Sequence, residues 1–122
     1  DFLEAIKMGD HIAIMKDGEI SQVGTPEEIV ANPVDKYVKD FCEDVPKYKV
    51  LSAGKVMRKE CSDESKKLFS DKTKCIDENA KIETLIDQIC EDDTAYPIIN
   101  AQSGELVGEI DRTIVMKSMK SK

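Results

Sequence analysis

The chain has 122 residues, 40% of them hydrophobic, which allows one ordinary domain or a small domain with part of another. Its formal net charge of -7 argues against a general nucleic-acid-binding protein, because such proteins need clustered positive charge. Its apolar runs are far shorter than the roughly 20 residues that cross a bilayer. Cysteines at positions 42, 61, 75 and 90 form no C-x-x-C pair, so we expect reduced thiols and no metal site.

The charge is distributed unevenly along the chain. Residues 1–46 hold 4 basic and 11 acidic groups, residues 47–81 hold 10 and 6, and residues 82–122 hold 4 and 8. The middle segment therefore has a net positive charge although the whole chain is acidic. The sequence opens at Asp1 without an initiator Met or a signal-like apolar stretch, so we expect it to be a piece of a longer protein.

The first predicted elements are a helix end and a hairpin. Residues 2–8 have the pattern of the last turns of a helix, and Gly9 is a typical residue to end one. Residues 11–15 and 19–23 are short β-like runs on either side of Asp17-Gly18. This dipeptide favours a two-residue hairpin turn, because both turn positions take positive φ.

Two short helices are predicted next. Thr25-Pro26-Glu27-Glu28 fits a helix start, with Thr25 as N-cap, proline at the first helical position and Glu28 closing a capping box. This helix is expected to end at Asn32-Pro33. A second helix is predicted over residues 35–42, with Tyr37, Val38 and Phe41 on one face.

The segment over residues 43–49 is the predicted domain boundary, because it is charged, contains a proline and lacks apolar periodicity. We therefore divide the chain into residues 1–45 and residues 46–122. After the boundary, residues 52–57 predict one helical turn. Residues 58–74 are rich in charged groups and predict either a surface loop or a weak exposed helix.

The last third of the chain predicts a compact mixed unit. An apolar stripe predicts a helix from Ala80 to about Glu91, built on Ile82, Leu85, Ile86, Ile89 and Cys90. Strands are predicted over residues 96–99 and 106–110, and a helix over 112–120 with Ile114, Val115 and Met119 facing inward. With a first strand at residues 74–76, the order is β-α-β-β-α, and the fold class is α/β of the α+β type.

Residues 1–42 resemble the end of an ABC-type ATPase domain of the quaternary-amine (glycine betaine/proline) importer branch. The resemblance is carried by the string D-F-L-E-A-I-K-M-G-D-H-I-A-I-M-K-D-G-E-I-S-Q-V-G-T-P-E-E-I-V-A-N-P. In that family this region follows the switch histidine, which would lie just before Asp1, and His11 comes too late to take that role. The sequence contains no G-x-x-x-x-G-K-[ST] phosphate loop, so no catalytic residue and no enzymatic activity are predicted for the chain itself.

Residues 51–120 resemble a CBS domain, with S-A-G-K-V-M as the lead-in and A-Y-P-I-I-N-A-Q-S-G-E-L-V-G-E-I-D-R as a strand pair. Members of that family usually work as two copies side by side and bind adenine nucleotides in the clefts between them. Because this chain offers one copy, the resemblance implies a homodimer formed by CBS pairing. The ligand-binding candidates that it implies are Cys75, Ile76, Tyr96, Pro97, Asp111, Arg112 and Thr113.

The nucleotide motif of the CBS family departs from its usual form here. The motif typically reads G-h-h-[ST]-x-x-D, with the hydroxyl contacting phosphate and the aspartate holding the ribose, whereas residues 108–114 read G-E-I-D-R-T-I. Asp111 would repel a phosphate, and Ile114 cannot hold a ribose. We therefore expect no adenine nucleotide in the usual mode, and we expect Arg112 to offset the charge of Asp111.

Two functional hypotheses follow; no cofactor is expected in the chain itself, apart from an adenine nucleotide or cyclic di-AMP at the CBS cleft in the first. The first is regulation of an osmoprotectant importer in response to ionic strength or to a nucleotide such as cyclic di-AMP at the CBS cleft. The second is a ligand-free dimerisation module of the same subunit. No pair of nucleophile and base or of carboxylates is apparent, so a third reading, an enzyme domain, is not favoured.

Both hypotheses imply the same surroundings, namely a transmembrane permease subunit and the ABC ATPase core at the cytoplasmic face of the membrane. The cationic middle segment and the lysine-rich tail with Lys117, Lys120 and Lys122 have two interpretations. They contact acidic lipid headgroups or the acidic residues 82–93, or they are ordinary solvated surface.

Overall fold

The computed structural model describes residues 4–5 and 11–120, and the predicted helix over residues 2–8 with its stop at Gly9 lies outside these residues except for Glu4 and Ala5, which are helical. The strands are β1 (Ile12–Lys16), β2 (Glu19–Gly24), β3 (Ile76–Asp77), β4 (Tyr96–Ile99) and β5 (Leu106–Ile110). The helices are α1 (Pro26–Ala31), α2 (Lys36–Phe41), α3 (Lys47–Val50), α4 (Ala53–Val56), α5 (Asp63–Leu68), α6 (Ile86–Ile89) and α7 (Arg112–Met119). Two 3-10 turns occupy Lys72–Lys74 and Ile82–Thr84. No helix among the described residues is long and apolar enough to span a bilayer.

Strands β1 and β2 form the predicted antiparallel hairpin. Its turn residues, Asp17 and Gly18, both have positive φ, 54° and 81°. This is the backbone that an Asp-Gly hairpin turn requires, so the prediction is confirmed. A bulge between Ile14 and Met15 interrupts the register, and Ile14 is buried while Met15 is exposed.

Helix α1 begins at its predicted cap, and α2 begins after a cap at Asp35, the first residue of the predicted second helix. The Thr25 hydroxyl oxygen accepts from the Glu28 backbone N–H at 3.2 Å, and the Asp35 carboxylate accepts from the Val38 N–H at 2.9 Å. The residues predicted to share one face of α2 differ in burial, since Val38 is fully buried and Phe41 is 47% exposed. The buried line of this helix runs instead through Val38 and Cys42, one turn apart, and this places Phe41 at its margin.

The segment predicted as a domain boundary, residues 43–49, contributes to the core. Its Val45, and Val50 and Leu51 just after it, are buried in a cluster of described residues that extends from Ile14 in the hairpin to Val115 in α7. The Ser52 N–H also donates to the carboxylate of Glu27 in α1, which ties the hairpin side of the chain to the sheet side. The division at residues 45 and 46 stays a prediction, and the packing across it is continuous.

A three-stranded sheet has the order β3-β4-β5, with β3 parallel to β4 and β4 antiparallel to β5. An isolated bridge joins Arg58 to Glu109, since the N–H of each donates to the carbonyl of the other at 2.8–2.9 Å. Gly108 makes this approach feasible, because a Cβ there would lie 2.5 Å from the Met57 sulfur and 2.7 Å from the Arg58 carbonyl oxygen. The lead-in segment is therefore held against the sheet edge.

Three predicted elements differ from the structure. The helix over residues 80–91 is instead a 3-10 turn followed by the short α6, because the Ile82 N–H donates to the Leu51 carbonyl and Leu85 forms the junction. The buried stripe itself is correct for Ile82, Leu85 and Ile89. Strand β3 begins only at Ile76, since a 3-10 turn capped by the Asp71 carboxylate precedes it. Met119, predicted to face inward, is 42% exposed because α7 ends there, outside the core cluster.

Candidate functional site

The residues predicted to bind a ligand lie just before or in β3, in β4 and at the start of α7, and their joint role in a cleft stays a prediction. Ile76, Tyr96 and Pro97 are buried within the sheet, where they pack in the core. The Cys75 thiol is directed at the backbone, 3.5 Å from the Phe69 carbonyl oxygen and 3.6 Å from that of Asp71. Asp111, Arg112 and Thr113 stand at the start of α7, and Thr113 alone of the seven lines the cleft described below.

A buried carboxylate, Glu109 of β5, organises the edge of the sheet. One of its oxygens accepts from the Ser62 N–H and from the Ser65 hydroxyl, each at 2.7 Å, and the other forms an ion pair with Arg58. Glu109 is only 2% exposed and Ser65 is fully buried. We name these four residues, Arg58, Ser62, Ser65 and Glu109, the Glu109 cluster.

The protonation of Glu109 follows from this arrangement. Burial by itself raises the pKa of this carboxyl group, because it disfavours the charged form. Hydrogen bonds from Ser62 and Ser65 and the pairing with Arg58 act in the opposite direction and together prevail, so the pKa falls from 4.5 to about 2. Glu109 is therefore an anion throughout the physiological range, and its role is to fix the start of α5 against β5.

Asp111 is neutralised by a residue that the sequence did not indicate. Its carboxylate caps α7 by accepting from the Ile114 N–H at 3.1 Å, and it pairs with Arg58 at 3.0 Å. The expected partner, Arg112, binds Asp93 instead at 2.6 Å, so that expectation is wrong. Contact with Asp111, and secondarily with Glu109, raises the pKa of Arg58, which thus links the start of α7 to the Glu109 cluster.

A cleft of about 560 Å³ opens between α3 and α7 on the other side of Arg58. Its lining residues are Lys47, Leu51, Val56, Arg58, Thr113, Ile114, Lys117, Ser118 and Lys120. We name it the lysine cleft, after Lys47, Lys117 and Lys120. Within the described residues its lining holds four cationic side chains and no acidic one, and none of the three lysines forms an ion pair there.

The chemistry available to this site is the binding of anions. Ammonium and guanidinium groups donate charge-assisted hydrogen bonds to phosphate or carboxylate oxygens, and Thr113 and Ser118 add hydroxyls. Burial raises the pKa of the thiols of Cys42 and Cys75, which leaves them poor nucleophiles at neutral pH. Residues 4–5 and 11–120 contain no cluster of three or more His, Cys, Asp or Glu side chains arranged to hold a metal ion.

Comparison with known proteins supplies relatives of this chain, although no family model matches it. The glycine betaine transport ATP-binding protein of Bacillus subtilis is 54% identical over 59 residues, which are 48% of this chain and 14% of that protein. The trimethylamine N-oxide transport system ATP-binding protein of Pelagibacter ubique is 34% identical over 122 residues, all of this chain and 34% of that protein. The chain is homologous to the ATP-binding subunits of glycine betaine-type ABC transporters.

The homology confirms the resemblance to ATP-binding subunits of quaternary-amine importers and agrees with a piece of such a subunit. The glycine betaine/proline betaine transport ATP-binding protein of Escherichia coli is 48% identical over 59 residues, again 48% of this chain but 15% of that protein. The chain thus spans between about a seventh and a third of the length of these three relatives.

Sequence reasoning singled out Lys117 and Lys120 but missed Lys47 and Arg58. Lys47 lies in the predicted boundary segment, and Arg58 lies in the segment predicted as a surface loop or a weak exposed helix. The net positive charge of residues 47–81 and the lysines near the C-terminus were both visible in the sequence, but nothing there indicated that they meet. Their meeting depends on the packing of α3 against α7, which is a tertiary contact.

Proposed function

We propose that the chain is a regulatory segment of the ATP-binding subunit of an osmoprotectant ABC importer, with residues 46–122 acting as one CBS-type domain. The observation that carries the proposal is the cationic cleft beside a β-α-β-β-α unit in a chain homologous to transport ATP-binding proteins. Since the sequence contains no phosphate loop, catalysis of ATP hydrolysis is assigned to other parts of the parent subunit.

The CBS-type assignment is supported by the topology of the sheet. Strand β3 runs parallel to β4, the connection between them contains α6, and β5 returns antiparallel before α7. A parallel pair of strands needs such a crossover, and a short turn suffices for the antiparallel pair. The unit packs on the segment that follows the hairpin. A structural change in the cleft would therefore reach residues 12–41 through direct contacts.

The signal is proposed to be ionic strength or a nucleotide, namely an adenine nucleotide or cyclic di-AMP. Either signal acts on the lysines of the cleft, which have no anionic partner among the described residues. Salt screens exposed charges beyond a Debye length of roughly 8 Å at physiological ionic strength. A nucleotide supplies phosphate oxygens to the same groups. The implied partners are the permease subunit, the ABC ATPase core and acidic headgroups at the cytoplasmic face of the membrane.

The test is transport by the complete transporter in vesicles at increasing salt, with its ATP-binding subunit carrying this segment. Reversal of charge at Lys117→Glu and Lys120→Glu is expected to change the salt at which transport is activated. Lys66→Glu and Lys67→Glu, which change the same charge on exposed positions of α5, are the matched control. The proposal is abandoned if both variants follow the wild-type salt curve.

A second candidate is the dimerisation module, and the exposed face of α7 favours it. Met116 and Met119, 54% and 42% exposed, lie three residues apart and form an apolar patch on this helix. Two copies of the chain would cover this patch by pairing their CBS-type units. Sedimentation analysis is expected to show a dimer that dissociates with Met116→Gln and Met119→Gln, and a strictly monomeric wild-type chain would refute the dimer.

A further inference from the structure

We propose that the lysine cleft binds a soluble ligand that carries two or more phosphate groups, through Lys47, Lys117 and Lys120. This inference rests on the proposed regulatory function for its biological meaning, but the binding itself does not depend on it. The cleft shares Thr113 with the residues predicted to bind a nucleotide, whereas Ile76, Tyr96 and Pro97 are buried in the core.

The charge of the cleft is the first argument. Three lysines that form no ion pair with residues 4–5 or 11–120 face one space, although the chain as a whole has a net charge of -7. The acidic groups elsewhere in the chain are screened over distances beyond roughly 8 Å at physiological salt, so they do not cancel this local charge. Mutual repulsion among the lysines is relieved when an anion enters, and this makes anion binding more favourable here than at isolated surface lysines.

The position of Asp111 excludes the start of α7 as the anion site. Its carboxylate already accepts the Ile114 N–H and already pairs with Arg58. An incoming phosphate would have to displace this built-in anion from both partners. The charge of a ligand is therefore expected to lie towards the C-terminal half of α7, at Lys117 and Lys120.

The shape of the cleft sets the size of the ligand. Its volume of about 560 Å³ lies within the range of small-molecule sites and exceeds what a single phosphate fills. Lys47 comes from α3 and the other two lysines from α7, so one ligand must reach both walls. Leu51, Val56 and Ile114 give the cleft an apolar wall, which suits a phosphate ester better than a bare ion.

Calorimetric titration of the 122-residue chain with tripolyphosphate, ATP and orthophosphate tests this inference. Tripolyphosphate and ATP are expected to bind at least about tenfold more tightly than orthophosphate, with an affinity that falls as salt rises. Lys117→Gln with Lys120→Gln is expected to weaken tripolyphosphate binding by about tenfold or more. Lys66→Gln with Lys67→Gln makes the same change of charge in α5 and is expected to alter it by less than about twofold.

Contrary results overturn either the inference or the regulatory function on which its biological meaning rests. Equal affinity for orthophosphate and tripolyphosphate would exclude a site for several phosphates, and an equal effect of the two double variants would exclude the cleft. Cosedimentation with phosphatidylglycerol vesicles, without binding of tripolyphosphate, would assign the lysines to a membrane surface. If the chain binds tripolyphosphate tightly but the lysine variants keep the wild-type salt activation of transport, the binding site stands and the regulatory function is refuted.

Discussion

Arg58 lies between two groups of charged residues that differ in their burial and in their partners. On one side, Glu109 is 2% exposed and its carboxylate is satisfied by Ser62, Ser65 and Arg58. On the other side, the lysines of the cleft are exposed and have no anionic partner among the described residues. The comparison teaches that buried, satisfied charge holds the sheet edge in place, whereas exposed, unsatisfied charge is available to a ligand.

The largest effect on stability is expected from Glu109→Gln. Loss of a buried charge that is paired and hydrogen-bonded should lower the free energy of unfolding by about 3 kcal/mol. Thermal and urea unfolding measure this, with Glu105→Gln, an exposed position just before β5, as the matched control. If the two variants are equally stable, the Glu109 cluster does not hold the sheet edge.

The lowered pKa of Glu109 predicts that the stability of the chain depends on pH. Because its pKa is lowered from 4.5 in the ordinary state to about 2 in the folded chain, its contribution is complete above about pH 4.5 and is lost as the pH falls towards 2. The difference in unfolding free energy between the wild type and Glu109→Gln should therefore shrink across this interval. A difference that stays constant from pH 5 to pH 2.5, roughly the span of that titration, would contradict the lowered pKa.

The next largest effect is expected at Gly108, which lets the lead-in segment approach β5. A methyl group there would meet the Met57 sulfur at 2.5 Å and the Arg58 carbonyl oxygen at 2.7 Å. Gly108→Ala should destabilise the chain by about 2 kcal/mol, since the backbone bridge to Arg58 must open. Gly24→Ala is the control, because its new contacts begin at an ordinary 3.4 Å.

A smaller effect on stability is expected from Asp111→Asn, which sharpens the distinction between the two groups of charges. Asparagine retains the cap of α7, so the loss is that of a partly exposed ion pair, about 0.5 kcal/mol. Removal of this anion beside the cleft should also strengthen tripolyphosphate binding. Weaker binding by the variant would show that Asp111 supports the ligand site instead of opposing it.

The smallest effect on stability is expected from Lys117→Gln with Lys120→Gln. These side chains are exposed and unpaired within residues 4–5 and 11–120, so unfolding should shift by less than about 0.5 kcal/mol. Chemical denaturation of this variant checks the value. A loss as large as that of Glu109→Gln would place the lysines among the residues that maintain the fold.

The parts of the fold that the sequence predicted well depend on neighbouring residues. The Asp17-Gly18 turn and the Thr25 cap need only the chemistry of two to four consecutive positions, and both are present as expected. Strands β4 and β5 were also correct, since an apolar run between turn signals is a local pattern.

The sequence alone did not predict the candidate site, because its contacts join residues that are far apart along the chain. Arg58 and Glu109 are 51 residues apart, and no local pattern at either residue indicates that they pair. The position of Glu109 within an apolar strand was visible, but its burial depends on Ser62 and Ser65 arriving from another segment. Lys47 meets α7 only through tertiary packing.

Amide NMR spectra of the isotope-labelled chain during titration with tripolyphosphate test the separation of the two groups of charges most directly. The account predicts that the signals of Lys47, Lys117, Ser118 and Lys120 move with added ligand while those of Ser62, Ser65 and Glu109 stay in place. Movement centred on Ser62, Ser65 and Glu109, with the lysine cleft unaffected, would contradict it.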